Sequence, residues 1–149
     1  MKTNPSLFGF LLFCLSLPNI VLADTEYLIS DDPSKADLPF SEAVRVDNML
    51  YLSGAIGTIP GSLELAPDGI EGQTRQTMEN ISTLLQKYGS SMDKIVKCLI
   101  MIDDMQEWPR MNAIYATYFD GHKPARSAFG ADGLALGAKL EIECMATIE

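Results

Sequence analysis

The sequence predicts an α+β fold in which two helices cover one face of a mixed β-sheet. Segments with the residue alternation of β-strands are interleaved with two segments whose apolar residues recur every three or four positions. This pattern runs from residue 38 to residue 149. It contains no internal repeat and no sign of a second domain, so we expect a single domain over residues 38–149.

The first half of this domain predicts a hairpin, a loop and a helix. Residues 44–56 alternate apolar and polar positions around a turn at Asp47-Asn48, which is typical of a β-hairpin. Residues 57–69 are rich in Gly and Pro and predict a loop that has room for a short edge strand. Residues 70–88 carry one apolar face at helical spacing and predict the first helix.

The second half predicts a strand, a helix and two further strands. Residues 95–102 are so apolar that we expect a strand buried on both faces. Residues 103–121 predict the second helix, with Pro109 in its first turn, where no backbone donor is needed. Strands are expected at 125–130 and 140–148. The apolar residues of the second helix are assigned to the core.

The last two strands would bring two charged residues together if they paired as a hairpin. With the turn centred between Gly133 and Leu134, Arg126 lies directly opposite Glu141. Both would then lie on the sheet face away from the helices, which a second subunit would have to cover. Spacing alone favours a structural ion pair for these two residues.

The N-terminus has the features of a cleaved secretory signal. Lys2 precedes an apolar stretch at residues 7–17, and Val21-Leu22-Ala23 offers small residues where a signal peptidase cleaves. The stretch is too short for a membrane-spanning helix, which needs roughly 20 residues. A lipoprotein anchored through Cys14 is disfavoured by the bulky residues before it. We therefore expect cleavage after Ala23 and a periplasmic or secreted protein, with no membrane attachment afterwards.

Cleavage would leave a polar N-terminal arm, residues 24–37, ahead of the domain. Removing residues 1–23 of 149 leaves 126, and the loss of Lys2 takes the formal net charge from −9 to −10. An acidic chain without a basic cluster disfavours nucleic acid as a partner.

The mature chain would keep Cys98 and Cys144. Both lie in apolar strand-like runs, which favours two buried free thiols over a disulfide, although an exported chain can form one. His122 has no Cys, His or carboxylate companions at ligand spacing, so no metal site is expected.

An ordered set of motifs resembles the RidA family, also called YjgF-like proteins or L-PSP endoribonucleases. The resemblance runs from about Leu38 to the C-terminus. The motifs are Tyr51-Leu52-Ser53-Gly54, Gln73-Thr74-Arg75-Gln76 with Asn80, Asn112 with Tyr115, Pro124-Ala125-Arg126-Ser127, and Glu141-Ile142-Glu143. The resemblance implies a chorismate-mutase-like α+β fold and a homotrimer with three sites at the subunit interfaces. The implied reaction is hydrolysis of reactive 2-enamines and 2-imines to 2-oxo acids and ammonia, without a cofactor.

The family's functional positions carry over to five residues of this chain. Arg126 matches the substrate-binding arginine, and Glu141 matches the acidic residue that handles the attacking water. Ser53 and Asn112 match substrate-binding positions, and Phe40 stands where many members have a tyrosine.

Phe40 keeps the ring of that tyrosine but lacks the hydroxyl. Ala55 replaces a usual glutamine, and Ala128 replaces a cysteine found in some members. These changes remove polar groups from the implied site.

Three functions remain open on the sequence. The first is an exported imine deaminase, in which a guanidinium binds the substrate carboxylate through two parallel hydrogen bonds and a carboxyl group moves protons. The second is a non-catalytic trimeric module that binds small carboxylates through Arg126. The third is RNA cleavage, which the acidic charge disfavours.

Overall fold

The computed structural model describes residues 23–32, 35 and 37–148. The predicted signal segment lies outside the described residues except for Ala23. Within the described part of the chain, no helix is long and apolar enough to span a bilayer.

The described residues form seven strands and two α-helices. In chain order these are β1 (Thr25–Leu28), β2 (Ala43–Val46), β3 (Met49–Leu52), β4 (Ala55–Ile56), α1 (Gly69–Lys87), β5 (Ile95–Ile102), α2 (Trp108–Ala116), β6 (Ala125–Gly130) and β7 (Leu140–Thr147). The predicted hairpin, both helices and the later strands are therefore confirmed as elements. The predicted N-terminal arm contains β1, which pairs with β2 and so belongs to the sheet.

One mixed sheet joins all seven strands. Its order is β1-β2-β3-β7-β5-β6, and β4 pairs with β7 beyond the end of β3. Only β5 and β6 are parallel; the other pairs are antiparallel. The predicted α+β class with a mixed sheet is confirmed.

The core lies on one face of this sheet. Along β7 buried and half-buried residues alternate, so one face of the strand is enclosed and the other is not. Ile100 and Ile142 of the sheet join Met78 of α1 and Met111 of α2 in a single cluster, and all four are fully buried. Burial of each such side chain stabilises the fold by roughly 1.5–3 kcal/mol. Both helices pack on this face, as predicted, and we call the other the open face.

Strand β5 is not buried on both faces, which corrects the sequence prediction. Val96 is 43% exposed, Lys97 is exposed, and Leu99 and Met101 are half-buried, while Cys98 and Ile100 between them are fully buried. The physical reason is that both helices lie on one side, so the part of the chain that the structure describes does not cover the apolar residues on the other side.

The predicted pairing of the last two strands is also wrong. β6 pairs in parallel with β5, and β5 separates it from β7. Strand β5, helix α2 and strand β6 form a strand-helix-strand unit, and a helical crossover returns the chain parallel to the strand it left. Spacing between Ala125–Gly130 and Leu140–Thr147 could not reveal that a third strand lies between them.

Cys98 and Cys144 form a disulfide, and the expectation of two free thiols is wrong. They are directly opposed residues of β5 and β7, with Cα atoms 4.2 Å apart. Both are almost completely buried. The prediction rested on the apolar runs around both cysteines, and such runs do not show which strands are neighbours in the sheet.

We expect the disulfide to stabilise the fold. It closes a chain segment with a sequence separation of 46 residues, and a crosslink of that span contributes roughly 2–4 kcal/mol by restricting the unfolded chain. The double substitution Cys98→Ala with Cys144→Ala should lower the free energy of unfolding in urea by about that amount. Reductant present during unfolding in urea should destabilise the unmodified protein, because the unfolded chain exposes the bond, and should leave the variant unchanged. Thiol labelling of both cysteines in the unfolded, unreduced protein would contradict the assignment.

Candidate active site

Arg126 lies at the edge of the sheet on the helix side. Its backbone pairs with that of Cys98, and paired residues of adjacent strands point to the same face. The guanidinium carbon is 4.8 Å from the ring centroid of Tyr115 and 5.4 Å from that of Trp108, both on α2. At such distances the ring faces attract a cation. Within the described part of the chain, no carboxylate pairs with Arg126.

A cavity of about 330 Å³ opens beside this guanidinium, between α2 and the start of β6. We call it the Arg126 cavity. Its lining includes Asn112, Tyr115, Phe119, Lys123, Pro124 and Arg126 and has no acidic residue. A cationic cavity without an internal counter-ion is suited to an anionic ligand.

Two further polar groups line the cavity. The Tyr115 hydroxyl is buried and has no hydrogen-bond partner among the described residues. Burial raises the pKa of Tyr115, and the charge of Arg126 opposes that rise. Among the described residues, the side-chain amide of Asn112 has no hydrogen-bond partner. Since unpartnered buried polar groups are costly, a ligand that bonded to the Tyr115 hydroxyl would relieve one of them.

A larger depression, of about 580 Å³, lies at the end of α1. It is more open, and its cations are already engaged. Lys87 pairs with Glu42 and Asp31, and Arg45 pairs with Glu26. The smaller Arg126 cavity is therefore the better candidate for an anion site.

Glu141 lies on the open face. It follows the buried Leu140 in β7 and pairs with Ile56 of β4 and Met101 of β5. In the part of the chain that the structure describes, its carboxylate has neither an ion pair nor a hydrogen bond. Burial raises the pKa of Glu141, and repulsion from Glu143 raises it further. A carboxyl group with a raised pKa exchanges protons more readily near neutral pH.

Gly54 makes room for this carboxylate. The register along β7 shifts by one residue between β3, where Tyr51 opposes Met145, and β4, where Ala55 opposes Ile142. Such a bulge redirects the side chains near it. A Cβ atom at Gly54 would overlap the Glu141 carboxylate. Any larger residue at position 54 would displace it.

Ser53 follows the buried Leu52 and precedes Gly54, so it lies on the open face next to Glu141. The Ser53 hydroxyl donates a hydrogen bond of 2.7 Å to the Ser41 carbonyl, which ties the Phe40 segment to the end of β3. Ser53 thus has the backbone-bonding role of a strand-end serine, although its oxygen can still accept a bond. Phe40 is 55% exposed. We call Ser53, Gly54 and Glu141 the Glu141 patch.

Glu42 anchors this segment, and no sequence motif indicated that role. Its carboxylate accepts hydrogen bonds of 2.9 Å from both Lys87 and the Tyr88 hydroxyl. Burial alone would raise the pKa of Glu42, but the bonds from Ser30, Lys87 and Tyr88 outweigh burial and lower it to about 2. The cluster fixes the chain immediately after Phe40.

The structure does not place Arg126 opposite Glu141, so the predicted cross-strand pair is wrong. β5 lies between their strands, and the two side chains are on opposite faces of the sheet. The structural ion pair is excluded for the same reason. The predicted site residues are therefore divided: Asn112 and Arg126 line one cavity, and Ser53 lies with Glu141 on the open face. Phe40 is in the exposed segment that Ser53 holds through the Ser41 carbonyl.

Two departures from the family pattern have a structural explanation. Ala55 opposes the buried Ile142 and so lies on the helix side, facing away from Glu141. Ala128 lies on the same face as Arg126 and packs against the core. Ala55 therefore removes no polar group from the Glu141 patch of this chain. The described residues also contain no group of three or more His, Cys, Asp or Glu that could hold a metal ion.

The pKa of Glu141 offers a direct check on this arrangement. We expect it to lie above the ordinary glutamate value, and Glu143→Gln to lower it part of the way back because one source of repulsion is removed. Carbon-detected NMR titration of the side-chain carboxyl would measure both values. Glu79→Gln, on α1, serves as the control and should leave the Glu141 titration unchanged. A Glu141 pKa at or below the ordinary value would contradict the burial and repulsion described above.

Known proteins similar to this chain show the family to which it belongs. The family model described as Endoribonuclease L-PSP matches residues 31–148. A mouse protein named 2-iminobutanoate/2-iminopropanoate deaminase is 37% identical over 108 residues, which cover 72% of this chain and 80% of that protein. Reactive Intermediate Deaminase A of Arabidopsis thaliana, a chloroplastic protein, is 37% identical over 122 residues, covering 81% of this chain and 65% of the longer relative.

The fold is similar to that of solved structures as well. The crystal structure of a yeast protein superposes with a TM-score of 0.78 at 32% sequence identity, covering 85% of this chain and all of the yeast chain. The family model spans almost all of the residues that the structure describes. This chain belongs to the Endoribonuclease L-PSP family, which is the RidA family that its motifs resemble.

Proposed function

We propose that this protein hydrolyses reactive 2-enamines and 2-imines to 2-oxo acids and ammonia. The observation that carries this proposal is the Arg126 guanidinium, which is held by two aromatic rings, lines a cavity and has no acidic partner in the described chain. Relatives named as imine deaminases support the reaction class.

In this proposal Arg126 binds the substrate carboxylate. A guanidinium presents parallel donors that match the two oxygens of a carboxylate. Hydrogen bonds to charged groups contribute roughly 1.5–3 kcal/mol each, enough to orient a small substrate. Asn112, which lines the same cavity, is positioned to bond to the remaining polar atoms of the ligand.

Glu141 then transfers protons during the attack of water. Its carboxylate accepts a proton from water as the oxygen attacks the C=N carbon, and the protonated carboxyl returns the proton to nitrogen. Collapse of the resulting carbinolamine releases ammonia and leaves the 2-oxo acid. A positioned acid–base group of this kind typically contributes about 10²–10⁴-fold. The raised pKa of Glu141 suits both halves of the cycle.

The two groups can meet only across a subunit boundary. Arg126 and Glu141 lie on opposite faces of one sheet, so a site containing both needs the Arg126 cavity of one chain and the Glu141 patch of another. The open face also exposes apolar side chains, including Tyr51 at 39% and Phe129 at 48%, which favours an interface. We propose the homotrimer with interfacial sites that the family resemblance implies.

A non-catalytic carboxylate-binding module is the second candidate. It is favoured by Phe40, which lacks a hydroxyl, and by Ser53, whose hydroxyl donates to the Ser41 backbone. The Glu141 patch then has few groups with which to position water. RNA cleavage is disfavoured by the formal net charge of −9 and by the enclosed shape of the cavity.

We also propose that the chain is exported to the periplasm or secreted after cleavage behind Ala23. The Cys98–Cys144 disulfide supports this location, because disulfides persist in oxidising compartments. Recovery of the native protein with residues 1–23 still attached would contradict it.

Activity on an imine generated by an amino-acid oxidase tests the function. The protein should accelerate 2-oxo acid formation in the presence of semicarbazide, which competes for the free imine. Arg126→Ala should lower kcat/KM by about 10- to 100-fold or more, as expected for lost hydrogen bonds to a charged group. Arg126→Lys, which keeps the charge but not the paired donors, should have a kcat/KM between that of Arg126→Ala and that of the unmodified protein.

Arg75→Ala, an exposed change on α1, is the control and should match the unmodified protein. Equal rates for the protein, Arg126→Ala and a protein-free reaction would rule out the deaminase. If the unmodified protein accelerated no imine hydrolysis but still bound pyruvate in calorimetry, the carboxylate-binding module would replace the deaminase as the proposed function.

Mixing two impaired variants tests the shared site. Arg126→Ala and Glu141→Gln should each retain about a tenth of the activity or less when assayed alone. After joint unfolding and refolding at equal amounts, random assembly pairs an intact Arg126 with an intact Glu141 in about one quarter of the interfaces of a cyclic oligomer. About a quarter of the activity should therefore return. No recovery, with both variants assembled normally by sizing, would contradict a two-chain site.

A further inference from the structure

The Arg126 cavity contains a second cation that the proposed reaction does not use. Lys123 precedes Arg126 by three residues and lines the same cavity. In the described part of the chain its ammonium group has no recorded ion pair or hydrogen bond. One carboxylate is fully served by the guanidinium of Arg126, which leaves Lys123 without a role in binding a monocarboxylic substrate.

Five other cations on the described surface have acidic partners. Lys35, Arg45, Lys87, Arg110 and Lys139 each form an ion pair with a nearby Asp or Glu. Arg75 and Lys97 are exposed and have no ion pair among the described residues, but neither of them lines the Arg126 cavity. Lys123 differs from them because it lies beside a second cation in a cavity without an acidic residue, and the two charges concentrate positive potential at one place.

The cavity is also larger than a three-carbon acid requires. Its volume of about 330 Å³ is within the roughly 300–1,000 Å³ of pockets that hold drug-sized ligands. The apolar ring of Phe119 lines part of it, and the unpartnered Tyr115 hydroxyl offers one more hydrogen bond. A longer ligand with an acid at each end fits this combination of room and charge.

We propose that Lys123 binds a second acidic group and directs the site toward four- or five-carbon 2-imino dicarboxylates, the imines of aspartate and glutamate. Arg126 holds the carboxylate next to the imine, and Lys123 holds the distal carboxylate. This inference rests on the proposed function for the reaction, but ligand selectivity can be measured without turnover. Lys123 is a specificity residue, and no proton transfer is assigned to it.

Calorimetry on the protein without residues 1–23 tests this selectivity. The probes are 2-oxoglutarate and oxaloacetate against 2-oxobutyrate and pyruvate, which are stable analogues of the two classes of imine. The unmodified protein should bind the dicarboxylates more tightly. Lys123→Met should reduce that preference by about 10- to 100-fold, the range for a hydrogen bond to a charged group. Lys123→Arg should restore most of it, and Arg75→Met is the charge-matched control.

The outcomes separate this inference from the function itself. Equal affinity of the unmodified protein for both acid classes, or an equal loss for both classes in Lys123→Met, would overturn the role of Lys123. So would a change in the size of the assembly in Lys123→Met without a change in selectivity, since Lys123 would then serve a subunit contact. If the protein bound dicarboxylates more tightly but accelerated no imine hydrolysis, the role of Lys123 in selectivity would stand and the proposed deaminase function would fail.

Discussion

The pairing of β5 with β7 determines the arrangement of everything around it. These central strands are joined by the Cys98–Cys144 disulfide, and their register fixes which side chains face the helices. Arg126 is aligned with Cys98 on the neighbouring strand and so shares its face. Glu141 precedes Cys144 by three positions, an odd number, and therefore points to the other face. One register thus separates the cation from the carboxylate within a single chain.

That separation leaves Glu141 on the open face of the sheet. A sheet with helices on one side must either carry polar residues on the other or find a partner. Here the open face has apolar residues beside Glu141 and Glu143. The bulge at Gly54 places a carboxylate without an ion-pair partner among them. An acid in partly apolar surroundings is an unfavourable surface feature for a monomer and a useful one at the boundary of a site.

The sequence predicted local structure well and strand order poorly. Helix α1 lies within one residue of its predicted range, since apolar spacing and terminal residues are local signals. Helix α2 spans only Trp108–Ala116, which is shorter than the predicted 103–121, and a 3-10 turn at Met105–Glu107 precedes it. The position of β6 depends on the crossover through α2, which no spacing between β6 and β7 reveals. The hairpin error produced the false Arg126–Glu141 pair, whereas the free thiols were predicted from the apolar runs around the two cysteines.

The candidate site residues show the same difference between local motifs and contacts that are distant in sequence. Arg126, Glu141, Ser53, Asn112 and Phe40 were predicted as site residues from family resemblance, because chemistry is concentrated in short motifs. The roles of Glu42 and Gly54 were not identified, since they arise from contacts with Lys87 and Glu141 that are distant in sequence. The polarity of the Ala55 position was also misjudged, because its side chain points to the core.

The burial of the disulfide limits when it can form. Both sulfur atoms lie inside the packed core, where oxidants and thiols from solvent have no access to them. Oxidation must therefore precede the final closure of the helices over the sheet. A chain that completed its folding under reducing conditions would enclose two thiols instead of a bond. The compartment in which this protein folds, more than the one in which it acts, decides which form of the core is made.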